Sequence, residues 1–254
     1  MKPDIFIFKE PENLSRRAAT LFKEKSDQAI HERGRCLIAL SGGGTPERLF
    51  QLLASDYRKE IHWNQIHLFW GDERCVSPTE PGSNYRQADE ALLSKVAIPK
   101  ENAHRIKGEL DPSSAAQEYA GLLKTFASPG LNFPALDLVY LGVGEDGHTA
   151  SLFPRSPVQA REPVIAVTAN YQDRPANRVT LTQMVFNQAR AVVFMATGEK
   201  KADILAKILS GRYDPEIYPA QRIDPQNGQF IWLIDGAAAS QLPRNLKGLN
   251  FCEG

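Results

Sequence analysis

The 254-residue chain carries 30 basic and 30 acidic residues, so its formal net charge at neutral pH is zero. This balance gives no indication of a nucleic-acid surface or of a polybasic patch that binds membranes. Hydrophobic residues make up 42% of the chain and charged residues 24%, which is typical of a soluble globular protein. Because no break in composition divides the chain, the sequence predicts a single domain over residues 1–254.

The sequence also argues against a secreted, membrane or metal-binding protein. No run approaches about 18 consecutive apolar residues, and the first residues lack the apolar core of a signal peptide, so we expect a cytoplasmic protein. The three cysteines, Cys36, Cys75 and Cys252, form no CxxC pair. They therefore indicate reduced thiols, and neither a disulfide framework nor a zinc site is expected.

Apolar β-type runs alternate with amphipathic helical segments along most of the chain. Strands are predicted at 4–8, 36–40, 66–70, 136–143, 164–167, 178–181, 191–196 and 230–234, with a weak candidate at 104–106. Helices are predicted at 13–33, from Pro46 onward, at 84–93, from Pro112 to Phe126, and at 199–209. This alternation predicts an α/β fold with one doubly wound, mainly parallel sheet and helices on both faces.

The stretch GEDGH follows the most buried predicted strand, at 136–143. In an open parallel sheet, ligands bind beyond the carboxyl ends of the strands, and His148 falls at such an end. A histidine there is a candidate general base, and Asp146 could orient its imidazole. The alternatives are a structural histidine that caps the loop and an aspartate that caps the turn.

A second motif, SGGGTP, lies between the predicted strand at 36–40 and the next helix. Its residues Ser41, Gly42, Gly43, Gly44 and Thr45 can point backbone amides and hydroxyls at an anion, and the helix dipole favours negative charge there. Phosphate is the expected ligand, although the same letters could form only a tight turn. The motif is neither a Walker loop nor GxGxxG.

The third polar cluster, GDER, follows the predicted strand at 66–70 and contains Asp72 and Arg74. The Arg74 guanidinium could hold a phosphate or polarise a carbonyl, or it could form an ion pair that only fixes the loop. Further along, the proline-rich region 213–225 is expected to be an irregular surface loop that could act as a lid.

Taken in order, SGGGTP, GDER, Ser83–Asn84, GEDGHTASLFP, RVTLT from Arg178 and GEKKA from Gly198 resemble the 6-phosphogluconolactonase family. That family is similar in fold to glucosamine-6-phosphate deaminase. The resemblance implies hydrolysis of 6-phospho-D-glucono-1,5-lactone to 6-phosphogluconate, a step of the oxidative pentose phosphate pathway. It also implies a small sugar-phosphate partner and no metal or cofactor, and the expected state is a monomer.

The resemblance assigns roles to individual residues. It implies that Asp72 and Arg74 line the sugar side of the pocket, and that Arg178 and Lys201 bind the phosphate, with Lys200 as the adjacent alternative. Asp72 is also a candidate catalytic residue, and Asp72 or Asp146 is the alternative base if His148 is not. Gly44 stands where the family often has a serine, which removes one possible phosphate-binding hydroxyl.

The sequence leaves two other functions to consider. A deaminase or isomerase on the same scaffold is disfavoured because Phe153 stands where deaminases carry a proton-moving glutamate, and Arg74 where they carry a tyrosine. A sugar-phosphate sensor without chemistry is disfavoured by the presence of both Asp146 and His148.

Overall fold

The computed structural model describes residues 3–156, 160–171 and 174–252. Within these ranges the α-helices are α1 (Pro11–Arg33), α2 (Gly44–Ala54), α3 (Asn84–Ala91), α4 (Pro112–Thr125), α5 (Gln183–Asn187) and α6 (Ala202–Ser210). The strands are β1 (Asp4–Phe8), β2 (Cys36–Leu40), β3 (Ile66–Trp70), β4 (Asp72–Arg74), β5 (Ala103–His104), β6 (Leu138–Leu141), β7 (Val164–Thr168), β8 (Asn177–Leu181), β9 (Ala191–Ala196), β10 (Gln229–Asp235) and β11 (Leu249–Cys252).

Over these ranges, eight strands form one parallel sheet in the order β11-β1-β10-β9-β6-β2-β3-β5. Every residue of β2, β6 and β9 is buried, as expected for strands of a parallel sheet that are covered on both faces. The predicted α/β class with a mainly parallel sheet is therefore confirmed.

The connectivity of the sheet fixes where a ligand can bind. From β2 the chain proceeds to β3 and β5 on one side, and it then returns to β6 and β9 on the other side of β2. Strand order reverses between β2 and β6, and a crevice opens beyond the carboxyl ends of the strands at such a point. Four adjacent strands, β9, β6, β2 and β3, are followed directly by the polar motifs identified in the sequence.

A second, three-stranded antiparallel sheet has the order β4-β8-β7 among the described residues. Asp72–Arg74, which we expected to be a polar loop after β3, is instead strand β4 and pairs with β8. The runs at 164–167 and 178–181 are strands as predicted, but they join this small sheet and not the main one.

Helix ends follow the local signals in the sequence closely. Helix α1 ends at Gly34, which adopts the left-handed conformation with φ 74°, and the Asp111 side chain caps α4 by accepting a hydrogen bond from the Ser114 amide. Several boundaries differ by a few residues from the prediction. Helix α1 begins at Pro11, α2 begins at Gly44 so that Pro46 is its third residue, and Glu199–Lys201 forms a 3₁₀ turn before α6.

Strand β11 was not predicted from the sequence. It pairs with β1 at the edge of the main sheet, and Phe251 is 72% exposed. An edge strand lacks the continuous apolar run that identifies the buried strands, so its sequence gives little indication of β-structure. Among the described residues, no helix is long and apolar enough to cross a membrane.

Two histidines form a stacked pair between β3 and β5. His67 Nδ1 lies 3.0 Å from His104 Nε2, and the aromatic rings of Phe69 and Phe126 pack around His104. Burial, with a smaller contribution from His67, lowers the pKa of His104 to about 4. The native state therefore favours the neutral imidazole, whereas the unfolded chain takes up a proton near pH 6.5.

We expect the free energy of unfolding to fall as the pH decreases from about 6.5 to about 4, because the unfolded state then binds more protons at position 104. His104→Gln, which cannot titrate, should weaken this dependence by on the order of 1 kcal/mol, allowing for partial solvent screening. Urea unfolding at several pH values measures the pH dependence of the free energy of unfolding. The control is His31→Gln, because His31 is exposed. Equal pH slopes for wild type and His104→Gln would contradict the assignment.

Candidate active site

A cavity of about 320 Å³ lies beyond the carboxyl ends of β9, β6, β2 and β3. It brings together residues of all the sequence motifs: Ser41, Gly42, Gly43, Gly44, Thr45, Asp72, Arg74, Gly144, His148, Arg178 and Lys201. Of the residues predicted for the site, Asp146 does not line the cavity directly, and neither does Lys200, the alternative to Lys201. Asp146 contacts His148 from behind.

The glycine loop Ser41–Gly43 leads from β2 into helix α2. Gly43 is the residue before the helix, so the amides of Gly44 and Thr45 belong to the first turn and have no partner within the helix. The Gly43 amide was expected to point at an anion, but it instead donates a hydrogen bond to Gln87 Oε1 at 3.0 Å. The Thr45 hydroxyl lies 3.1 Å from the Thr197 hydroxyl. The amides that remain for an anion are therefore those of Gly44 and Thr45.

The GEDGH loop after β6 is a compact turn closed by its own backbone. The Gly144 amide donates to the His148 carbonyl at 2.8 Å, and the Gly147 amide donates to the Gly144 carbonyl at 3.0 Å. A Cβ atom at Gly144 would lie 2.1 Å from His148 Nδ1, so only glycine leaves room for the imidazole. The loop sequence thus determines where the ring lies.

His148 is held on three sides by its neighbours. Its Nδ1 lies 2.6 Å from Asp146 Oδ1, and its ring packs against Phe153 and Tyr171, with centroid distances of 4.6 Å in both cases. Burial by itself would raise the pKa of Asp146, but the hydrogen bond and charge of His148 outweigh it and hold this pKa below its ordinary value. An ionised Asp146 accepts the Nδ1 proton, which leaves Nε2 as the basic nitrogen.

The small antiparallel sheet presents a charged face to the cavity. Asp72 pairs with Thr180 across β4 and β8, and Arg74 pairs with Arg178. The carboxylate of Asp72 accepts hydrogen bonds from Ser151 Oγ at 2.6 Å and from Asn84 Nδ2 at 3.2 Å. Directly opposed like charges destabilise an antiparallel pair, so the two arginines favour an anion between or beside them.

Arg178 is the most enclosed cation of the site, with an exposure of 2%. Its Nε donates to the Pro175 carbonyl at 3.2 Å, and its guanidinium carbon lies 5.3 Å from the centre of the Phe153 ring. Burial lowers its pKa, against the opposing effect of Asp72. Within the described part of the chain, its buried Nη2 has no hydrogen-bond partner. A buried donor without a partner is costly, and a ligand oxygen would satisfy it.

Lys201 faces the cavity from the far side, after β9. It ends a short 3₁₀ helix, Glu199–Lys201, that leads into α6. Burial lowers the pKa of Lys201, and the carboxylates of Glu145 and Asp146 oppose this effect. The loop before it is fixed by Asp235, whose carboxylate accepts from the Gly198 amide at 3.0 Å.

Below the charged face, Glu73 is a buried carboxylate that organises the neighbouring backbone. It accepts hydrogen bonds from the amides of Arg74, Asn84 and Tyr85 and from Ser83 Oγ, at 2.7 to 2.9 Å. Burial raises its pKa, and these hydrogen bonds oppose the rise. Glu73 therefore fixes the start of α3 against β4.

Several cavity residues were missed by the sequence reasoning. They are Asn84, Glu145, Ala150, Tyr171, Arg174 and Thr197. Ser83–Asn84 contributed to the family resemblance but received no role. Tyr171 and Arg174 lie between β7 and β8, where no periodic pattern marks them, and only the pairing of these strands brings them to the cavity. Ala150 is a non-glycine residue with φ 48°, a conformation that carries strain and is often found at functional sites.

Region 213–225, expected to be an irregular loop, contains the 3₁₀ helix Pro219–Arg222. It packs on the GEDGH loop, because the Ala220 amide donates to the Gly147 carbonyl at 3.0 Å. The role of this region as a lid stays a prediction. Among the residues placed by the structure, no group of three or more His, Cys, Asp or Glu side chains could hold a metal ion.

Comparison with known proteins identifies the family of the chain. The family described as glucosamine-6-phosphate isomerases/6-phosphogluconolactonase matches residues 9–232. A 6-phosphogluconolactonase from Synechocystis sp. is 41% identical over 244 residues, covering 95% of this chain and 99% of the relative.

Solved structures agree with this match. The 6-phosphogluconolactonase of Thermotoga maritima is 28% identical, with a TM-score of 0.80 over 92% of this chain and 100% of that protein. A monomeric glucosamine-6-phosphate deaminase is 22% identical, with a TM-score of 0.81 over 95% and 100% of the two chains, and this similarity shows the fold alone. The chain therefore belongs to the glucosamine-6-phosphate isomerase/6-phosphogluconolactonase family.

Proposed function

We propose that the protein hydrolyses 6-phospho-D-glucono-1,5-lactone to 6-phosphogluconate, a reaction of the oxidative pentose phosphate pathway. The observation that carries this proposal is the pair formed by His148 and Asp146. Asp146 accepts the Nδ1 proton at 2.6 Å, and His148 lines a cavity that also contains several cations. The named activity of the Synechocystis relative supports the same reaction.

In the proposed mechanism, His148 Nε2 takes a proton from a water molecule as the water oxygen bonds to C1 of the lactone. The carbonyl oxygen becomes an oxyanion, and a nearby cation or amide stabilises it. When the bond between C1 and the ring oxygen breaks, the imidazolium returns its proton to that oxygen. Asp146 stabilises the imidazolium and keeps the ring oriented throughout.

Asp72 is proposed to position substrate and neighbouring groups, and the role of base is assigned to His148. Its two carboxylate oxygens already accept hydrogen bonds from Ser151 and Asn84. Its negative charge also lies near Arg178, which it helps to keep cationic. In this position it can accept a hydrogen bond from a sugar hydroxyl.

The phosphate is proposed to bind where the helix α2 amides and the basic side chains converge. The amides of Gly44 and Thr45 supply donors, and Arg178 and Lys201 supply positive charge. Arg74 lies opposite Arg178, and Arg174 lines the same cavity, so either can add to this charge. Ser41 and Gly42 line the wall of the cavity at the start of the loop.

The position of Phe153 favours a lactonase over a deaminase. Its ring packs against the imidazole of His148 and against the guanidinium of Arg178. A glutamate at this position would place a second proton-moving group beside the histidine, whereas a phenyl ring can move no proton. Hydrolysis of a lactone needs a single base, so the phenyl ring is compatible with it.

Cellular location and assembly follow from this proposal only as expectations. A sugar-phosphate substrate is consistent with the cytoplasmic location inferred from the sequence. The monomeric state and the single domain stay predictions.

The purified protein should hydrolyse 6-phosphogluconolactone far faster than unphosphorylated gluconolactone, because the cations that line the cavity attract the phosphate group. The kcat/KM values of the two lactones are compared after subtraction of spontaneous hydrolysis. Incubation with glucosamine-6-phosphate in parallel should release no ammonia. Equal kcat/KM values would remove the basis for the phosphate site, and clear ammonia release would favour the deaminase.

Arg178→Ala should lower kcat/KM for the phosphorylated lactone by an amount equivalent to about 2 to 4 kcal/mol, the usual result of removing one partner of a buried charged contact. Arg190→Ala controls for the loss of one guanidinium away from the cavity, where the half-exposed side chain pairs with Asp137 at 3.2 Å. It removes the same charge from the residue before β9, at the opposite end of that strand from the cavity. A normal kcat/KM in folded Arg178→Ala would show that this guanidinium does not contact the substrate.

His148→Asn should lower kcat roughly 10² to 10⁴-fold, the range expected when a positioned proton acceptor is lost. Binding of 6-phosphogluconate should change little, because the phosphate contacts are made by other residues. Calorimetry measures the binding, and circular dichroism verifies the fold. If the folded variant binds 6-phosphogluconate and keeps more than about half of the wild-type kcat, His148 is not the general base.

A further inference from the structure

Helix α3 contacts the glycine loop through the side chain of Gln87. Gln87 Oε1 accepts from the Gly43 amide at 3.0 Å, and Gln87 Nε2 donates to the Gly43 carbonyl at 2.7 Å. The side-chain amide thus pairs with both polar groups of a single residue, as a neighbouring strand would in a sheet. This leaves no freedom for Gly43 to rotate without breaking a hydrogen bond.

The backbone of Gly43 needs such a restraint. Its φ of 105° and ψ of −176° lie in a region that is essentially restricted to glycine. Glycine is also the most flexible residue, so nothing in its own structure favours this conformation over others. Because Gly43 directly precedes α2, its conformation sets the direction in which the Gly44 and Thr45 amides point.

Gln87 is itself held firmly in relation to the rest of the site. It lies one turn into α3, whose first residues are bound by the buried Glu73 carboxylate and capped by Ser83. At the same helix end, Asn84 Nδ2 donates to the Asp72 carbonyl at 2.8 Å. Helix α3 therefore connects the glycine loop to the charged face of β4 and β8.

We propose that Gln87 is a positioning residue that sets the selectivity for phosphorylated substrate by fixing the Gly43 peptide. The inference rests on the proposed lactonase function. Without the two hydrogen bonds, Gly43 samples other conformations, and the α2 amides must be reordered each time a phosphate binds. The chemical step depends on the separate GEDGH loop, so it is left unchanged.

Gln87→Ala should raise KM for 6-phosphogluconolactone about tenfold, which corresponds to about 1.4 kcal/mol of binding energy and to the net contribution of one or two hydrogen bonds. Its kcat should stay within about twofold of wild type, and kcat/KM for unphosphorylated gluconolactone should not change. A role in fold stability alone would instead leave the ratio of the two kcat/KM values at the wild-type value.

Gln51→Ala is the matched control. Gln51 is an exposed glutamine on α2 that accepts a hydrogen bond from Arg48 and lines the groove beside α3, and in the described part of the chain its side chain makes no hydrogen bond with residues 41–45. This variant should behave as wild type. Gln87→Met, which adds no charge and keeps the length of the side chain but loses both hydrogen bonds to Gly43, should also lower the selectivity, and it replaces Gln87→Ala if that variant does not fold.

Calorimetric titration with 6-phosphogluconate separates this inference from the proposed function. If wild type lacks lactonase activity but binds 6-phosphogluconate, the proposed function fails, and a tenfold weaker affinity in Gln87→Ala still supports the positioning role. Unchanged selectivity and unchanged affinity in the folded variant overturn it. Absence of binding by wild type also overturns it, because no phosphate site then exists.

Discussion

The candidate site depends on the junction at Gly71, where the chain passes from one sheet to the other. The Gly71 amide donates to the Leu40 carbonyl at the end of β2, and its carbonyl accepts from the Leu181 amide at the end of β8. One residue is thus hydrogen-bonded to both sheets. This arrangement places Asp72 and Arg74 at the same cavity as the glycine loop. Without this junction, the end of the parallel sheet would carry the glycine loop, the GEDGH loop and the start of α2, but no guanidinium would face them.

The electrostatics of the candidate site are unfavourable in the empty protein and would suit an anionic ligand. Arg74 and Arg178 oppose each other across two strands, and burial lowers the pKa values of Arg178 and Lys201. Asp72 offsets part of this cost for Arg178. A bound dianion would offset more, since charge-assisted hydrogen bonds to phosphate are strong when they are shielded from water. Such a site lowers the stability of the empty protein and would raise its affinity for an anion.

The sequence could predict the elements that are marked by local patterns. Residues 36–40 and 191–196 are apolar at every position, which indicates strands buried on both faces, and the motifs that follow them had to lie at one edge of the sheet. It could not predict that Asp72–Arg74 pairs with β8, because that contact joins segments about a hundred residues apart and has no local signature. Gln87 and Arg174 were missed for the same reason.

The glycines of the two loops illustrate why a motif alone could not reveal the geometry of the site. Gly144 is required for space, because the imidazole of His148 occupies the volume of a side chain. Gly43 is required for conformation, because its φ is 105° and, apart from its chain neighbours, none of the described residues lies within 4 Å of where a Cβ would be. In the sequence these are the same letter. The space at Gly144 directly determines where the His148 ring lies. The conformation of Gly43, by contrast, needs a side chain from another helix to hold the backbone in place. The GEDGH loop therefore carries most of its own geometry in its sequence, and the SGGGTP loop obtains its geometry from α3.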